Sequence, residues 1–197
     1  MEKIVTALTT EAVFSDDGLK RYLLRKTWND TKPKLAIVML APSEASGIEL
    51  DTTTQLVLNN SARLGYGSVS IVNLFATLND FSLKQAEDED PENMDVIVQQ
   101  AKDADLIVYA PGVGKAKSKV FLQRQERVLA CLCAFENKLH CLCDANGEAR
   151  LQHPLSPAVR TWHFSPLKIS ELIDQPKPEP EQKKKPKGKQ PKNTEAN

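Results

Sequence analysis

Three stretches of this 197-residue chain hold residue types that can do chemistry. The first is Pro42-Ser43-Glu44-Ala45, followed by Asp51 and Thr53. Ser43 lacks the G-x-S-x-G elbow that exposes a nucleophile, so its hydroxyl and the adjoining amides read as binders of a polar ligand. Asp51 stands where a helix should begin, which suits it either to acid–base work or to capping that helix, with Thr53 beside it. The second stretch is Gly112-Val113-Gly114-Lys115. It fails the phosphate-loop pattern, because position 109 is Tyr and the residue after Lys115 is Ala116, but amides at Gly112 could still hold an anion. The third is His153. Among three His it alone precedes a Pro at the end of a late strand, where an imidazole can donate to a developing oxyanion, to a phosphate or to a backbone carbonyl.

These residues need a frame that brings them together. Leu35 to Leu40 is a run of six apolar residues, which suits a central parallel strand covered on both faces. Ser68 to Phe75 reads as a second parallel strand with Asn73 at its carboxyl end, Asp105 to Ala110 as a third, and Lys138 to Cys143 as a fourth. Between them, helical spacing appears over Thr52 to Leu64, after Pro91 (Met94, Ile97, Val98, Ala101) and over Lys117 to Phe135. Gly65-Tyr66-Gly67 ends the first of these helices. Upstream, Ser15-Asp16-Asp17-Gly18 is turn chemistry between two short antiparallel strands. Glu148 to Gln152 reads as a small strand. The expected fold is α/β, a three-layer α/β/α sandwich around a four-stranded parallel sheet, with short N-terminal antiparallel strands. Ligands bind beyond the carboxyl ends of such strands, where all three stretches would meet.

Residues 1–174 read as one domain and residues 175–197 as a disordered tail rich in Lys, Pro and Glu. The tail has seven Lys against three Glu, so a formally neutral chain carries an acidic body without the bulk basic character of a nucleic-acid binder. No apolar run approaches the roughly 18 residues of a membrane span. The N-terminal stretch lacks the apolar core of a secretion signal. Cys131, Cys133, Cys141 and Cys143 pair in C-x-C spacing. In a helix, i and i+2 point about 200° apart, so buried reduced thiols fit better than a metal site. No metal and no cofactor are expected, and a reducing cytoplasm suits the cysteines.

Taken in order, RYLLRKTW, MLAPSEAS, D-T-T, GYGSVSIVNLFA and HPL resemble the domain-of-unknown-function family numbered 1643, over about residues 20 to 156. That resemblance points to Pro42, Ser43, Ala45, Asp51, Thr53, Asn73 and His153. The chain departs from it at Ala41, where the family has Asn, and at Pro111-Gly112, where it has Trp-Gly. More remotely, the layout is similar to the uracil-DNA glycosylase superfamily. The analogy implies that the first turn positions water and that the late His steadies charge on the departing base. With Ala41 in the turn, Asp51 must then do the acid–base work, or the chain is a binder only.

The resulting expectation is a polar pocket that recognises a nucleotide, nucleobase or nucleic-acid end. Ser43 and Asn73 orient the ligand, Asp51 acts as base or cap and His153 stabilises charge; as an enzyme it would hydrolyse a glycosidic or related bond. The alternative is a non-catalytic interaction module of a mobile element, acting through the acidic loop around Glu87 to Asp90 or through the basic tail, with an unknown protein partner.

Overall fold

The computed structural model describes residues 1–43, 47–78, 82, 90–113 and 118–173. Glu44, Ala45, Gly114, Lys115, the acidic stretch 87–89 and the tail from 175 lie outside these residues, as do the expectations attached to them.

The continuous apolar run forms strand β3, Lys34–Met39, and five of its six residues are buried. Such a strand needs covering on both faces and pairing on both edges. It pairs in parallel with β4 (Ser68–Asn73) on one side and β5 (Leu106–Tyr109) on the other, and β5 pairs in parallel with β6 (Leu139–Cys143). The sheet does not stop there. The hairpin of β1 (Thr9–Phe14) and β2 (Arg21–Thr27) joins it through antiparallel β2–β4 pairing. At the far edge β7 (His163–Pro166) runs antiparallel to β6. The expectation of a four-stranded sheet with accessory strands is therefore corrected to a seven-stranded mixed sheet of order β1-β2-β4-β3-β5-β6-β7. The reason is that β4 and β6 would otherwise present unpaired backbone edges.

Alternation along the strands sorts the core into two clusters. Leu35, Ile37, Met39, Val69 and Ile71 pack with Val57 of helix α1 (Thr52–Arg63) and with Trp162. Ala36, Val38, Val72 and Tyr109 pack with Ile97 of α2 (Pro91–Asp103) and with Leu129 of α3 (Lys119–Leu132). Adjacent strand residues point to opposite faces, so α1 lies on one face of the sheet and α2 and α3 on the other. Ile37 has no exposed surface, and Ile37→Ala should cost about 2–5 kcal/mol. A short helix, α4 (Ser170–Ile173), closes the described chain.

Each of the three long helices starts at the carboxyl edge with its first turn capped by a side chain. Asp51 accepts from the Thr54 amide at 2.6 Å, Asp90 from Asn93 at 3.0 Å and Ser118 from Phe121 at 3.4 Å. Gly65 ends α1 with φ +89°, a conformation that costs glycine little. Residues 148–152, expected as a strand, form no strand and instead loop from β6 toward His153. Cys141 and Cys143 are buried thiols, but Cys131 and Cys133 are exposed, correcting the expectation that all four are buried. Cys131 falls on the outer side of α3 and Cys133 in the 3-10 turn that follows.

Candidate functional site

The register of the parallel strands sets one common rim. Met39 pairs with Asn73, Val38 with Tyr109 and Tyr109 with Cys141, so the chain leaves β3, β4, β5 and β6 on the same edge. Because β2 runs antiparallel to β4, its first residue, Arg21, arrives at that edge too. Arg21 is 1% exposed, and its backbone amide donates to Ala76 just past β4. Next to it the hairpin register jumps: Val13 faces Leu23, but Phe14 faces Arg21. Such an irregularity breaks the alternation of side chains. Tyr22 then reaches Glu92 of α2, while the Arg21 guanidinium donates to the Ser43 carbonyl at 3.2 Å.

Ser43, Asp51 and Arg21 form one group. Asp51 has the extended backbone of an N-cap. Burial pushes its carboxyl pKa up, but hydrogen bonds from the Ser43 hydroxyl and from the Thr54 amide and hydroxyl, with the Arg21 charge, outweigh this and leave it below the usual 3.8. Asp51 is therefore ionised at neutral pH. Thr53, the expected ligand contact, is buried at the second position of α1, and Thr54 rather than Thr53 completes the cap. A second cation from β2 holds the same loop farther along. Lys26, 1% exposed, donates from Nζ to the Thr10 hydroxyl at 2.7 Å and to the Gly47 carbonyl.

His153 enters from the other side of the rim. Burial lowers its pKa below 6.5, and the negative charge of Asp51 opposes that shift, which puts the two within electrostatic reach. Its Nδ1 accepts the Leu155 amide at 3.2 Å. A backbone amide can only donate, so Nδ1 is unprotonated and a neutral ring carries its proton on Nε2. Gly112 is the floor for this side chain. It has φ +84°, and a Cβ there would stand 3.2 Å from the His153 Cβ. Leu151, two residues before His153, has φ +57°, which a side chain other than Gly's disfavours by about 1–2 kcal/mol. It packs against the core cluster that contains α3, and this contact holds the turn that delivers His153.

Asn73, at the end of β4, shares the α1 face of the sheet with Val69 and Ile71. It is 1% exposed, and neither Oδ1 nor Nδ2 of its side chain has a hydrogen-bond partner among the described residues. Its backbone carbonyl accepts the Asn93 amide at 3.0 Å, and the next carbonyl, Leu74, accepts the buried Arg124 Nε at 2.7 Å. The strand end is thus fastened from the α2 and α3 side.

The rim therefore links Ser43, Asp51, His153 and Gly112 by contact or charge, with Asn73 at the end of the neighbouring strand. Pro42 is half-buried beside Ser43 and makes no side-chain hydrogen bond. Two participants escaped sequence reasoning. Arg21 carried only the weak signal of a cation opening a buried strand, and Thr54 required knowing the first helical residue. Among the described residues no group of three or more His, Cys, Asp or Glu could hold a metal, and no helix is long and apolar enough to cross a membrane. A cleft of about 200 Å³ lies at the opposite, amino end of β3 and β4, around Arg25, Lys34 and Ser68. There the Arg25 guanidinium is occupied by Glu11, Ser70 and Gln100.

The site residues from Arg21 to His153 coincide with the extent of a known family. No curated protein and no solved structure matches the chain. The sequence model of a family described as "Protein of unknown function (DUF1643)" matches residues 21–155, more than half of the chain, and the protein belongs to that family.

Proposed function

We propose that the rim formed by Ser43, Asp51, Asn73, Gly112 and His153 binds a nucleobase, free or within a nucleotide or nucleic-acid end. The observation that carries this reading is the Asn73 amide, buried with both polar atoms unpartnered among the described residues. Leaving such a group unsatisfied costs about 1–3 kcal/mol, a cost that a ligand can return. An amide that both donates and accepts complements a ring edge offering one acceptor beside one donor, as in the lactam of uracil, thymine or guanine. The neutral His153 adds an Nε2 donor suited to a carbonyl oxygen. The Asp51 carboxylate offsets the Arg21 charge, which favours an uncharged ring over a bare phosphate at this point.

The pairing of an ionised Asp51 with a neutral donor His153 favours a second reading, hydrolysis of an N-glycosidic bond. Water would attack the sugar carbon and the carbon–nitrogen bond would break, its electron pair leaving on the base. Asp51 would accept the water proton, while Nε2–H of His153 holds the negative oxygen of the departing ring. The layout that the sequence alone resembles, that of the uracil-DNA glycosylase superfamily, motivates this reading. The low pKa of Asp51 makes it a weak base, so binding is the primary proposal.

Calorimetric titration of the full chain with uracil, uridine, guanosine and N3-methyluridine tests the proposal. Ligands with an intact lactam should bind, and N3-methyluridine and the Asn73→Leu and His153→Ala variants should each lose about 10- to 100-fold in affinity. Negligible binding of every nucleoside, and of a short single strand, by the wild type would overturn it. Release of free base from uridine-containing strands separates the catalytic reading from the binding one.

A further inference from the structure

The two edges of the sheet are protected differently. The β7 edge is four residues long and ends in Pro166, which has no amide to offer a further strand. The β1 edge is six residues long, has no Pro and carries exposed Val13 and Phe14. Residues 1–8 precede it in no regular element, and all are exposed. Ile4 and Val5 are 81% and 79% exposed and Leu8 51%, so this arm presents apolar side chains that nothing among the described residues covers. Long, unguarded apolar edges are templates for another strand.

We propose that this edge pairs with a second copy of the chain, residues 3–11 of each running antiparallel about a two-fold axis at Ala7. The charges select this register. Lys3 then stands directly opposite Glu11 of the partner subunit, and symmetry repeats the pair, so every charge along the seam faces its opposite. Ile4 faces the partner's Thr10 and Val5 the partner's Thr9, pairs that suit a sheet. The arm of each copy lies along β1 of the other and continues the sheet across the axis for about 30 Å. Glu11 is prepared for this role, since Arg25 of its own chain already holds its carboxylate at 2.8 Å and leaves it exposed to accept a second cation. A shift of the seam by one residue, to a sum of 15, would set Ile4 opposite Glu11 and Lys3 opposite Ala12 and leave both charges unpaired.

Light scattering on size-exclusion fractions of the full chain tests the seam, with wild type compared to Lys3→Glu, Glu11→Lys and the double exchange. Wild type should be a dimer, each single reversal should weaken it about tenfold, and the double exchange should restore it to within a few-fold. Lys3 and Glu11 are exposed, so the variants should fold, and circular dichroism melts confirm that. A wild type that stays monomeric at about 100 μM overturns the proposal. So does a dimer that ignores Lys3→Glu, or one that the double exchange fails to restore.

Discussion

The backbone amide of Leu155 donates to Nδ1 of His153 at 3.2 Å, and that one bond decides what the imidazole can do. With Nδ1 engaged, Nε2 is the protonated atom of the neutral ring, so His153 is a donor and not a base. Adding a second proton would break the Leu155 bond, which acts in the same sense as the burial that lowers its pKa below 6.5. Titration of the imidazole nitrogens by NMR should therefore give a midpoint below 6.5, with the Nε2–H tautomer above it. A midpoint above 6.5 would contradict this environment.

The same shift couples to stability. The unfolded chain takes up the proton more readily than the folded one. The contribution of His153 is then fully present above about 6.5 and is lost as the pH falls through the lower folded value. Urea melts at pH about 7.5 and about 5 should show wild type losing more stability on acidification than His153→Asn. Equal losses in the two proteins would mean that His153 is not the coupled group.

Gly112 and His153 make a sharp steric pair. In Gly112→Ala the new Cβ lies 3.2 Å from the His153 Cβ, on a backbone with φ +84° that alanine disfavours. The strain costs about 1–2 kcal/mol, and the ring must move. The midpoint of thermal melting should drop, and nucleoside affinity should drop beyond what the lost stability explains. His153 cross-peaks shifted in the NMR spectrum of the folded variant would identify the cause.

How much of this was readable beforehand depends on the range of the interaction. The apolar run of β3 predicts a strand covered on both faces because that demand is local. Asp51 is legible as a cap for the same reason, since the Thr54 amide is three residues away. The turn Ser15 to Gly18 likewise predicts a hairpin, but nothing local says that β2 joins β4 and so carries Arg21 to the rim. The bond from Arg21 to Ser43 spans 22 residues and depends on a register jump that leaves no mark in the sequence. His153 was suggested by its Pro, yet its role as a donor comes only from the fold of the turn.

Asn73 separates stability from function. If its amide is reserved for a ligand, replacing it with an apolar side chain of similar size removes an unpaid desolvation cost. Asn73→Leu should leave the free protein unchanged or up to about 1 kcal/mol more stable, and should abolish the stabilisation that nucleosides give the wild type. A loss of more than about 2 kcal/mol in the free protein would show that the amide is satisfied in solution and that the binding proposal has lost its chief support.

Asp51 serves two purposes that two substitutions can divide. Asp51→Asn keeps an oxygen to accept the Thr54 amide but removes the charge that faces Arg21 and His153, whereas Asp51→Ala removes both. Loss of the cap alone costs about 0.5–2 kcal/mol. Asp51→Ala should therefore be the less stable of the pair by roughly that amount. The charge contributes only while the carboxylate is ionised. Its folded pKa lies below 3.8, so its stabilisation is present above that value and is lost as acid carries the pH through the folded one. The gap between wild type and Asp51→Asn should hold near neutrality and close below pH about 3.8, while the gap between Asp51→Asn and Asp51→Ala should survive. Urea melts across that range measure both. A wild type and Asp51→Asn of equal stability at pH 7 would show that Asp51 acts at this rim through its oxygen and not through its charge.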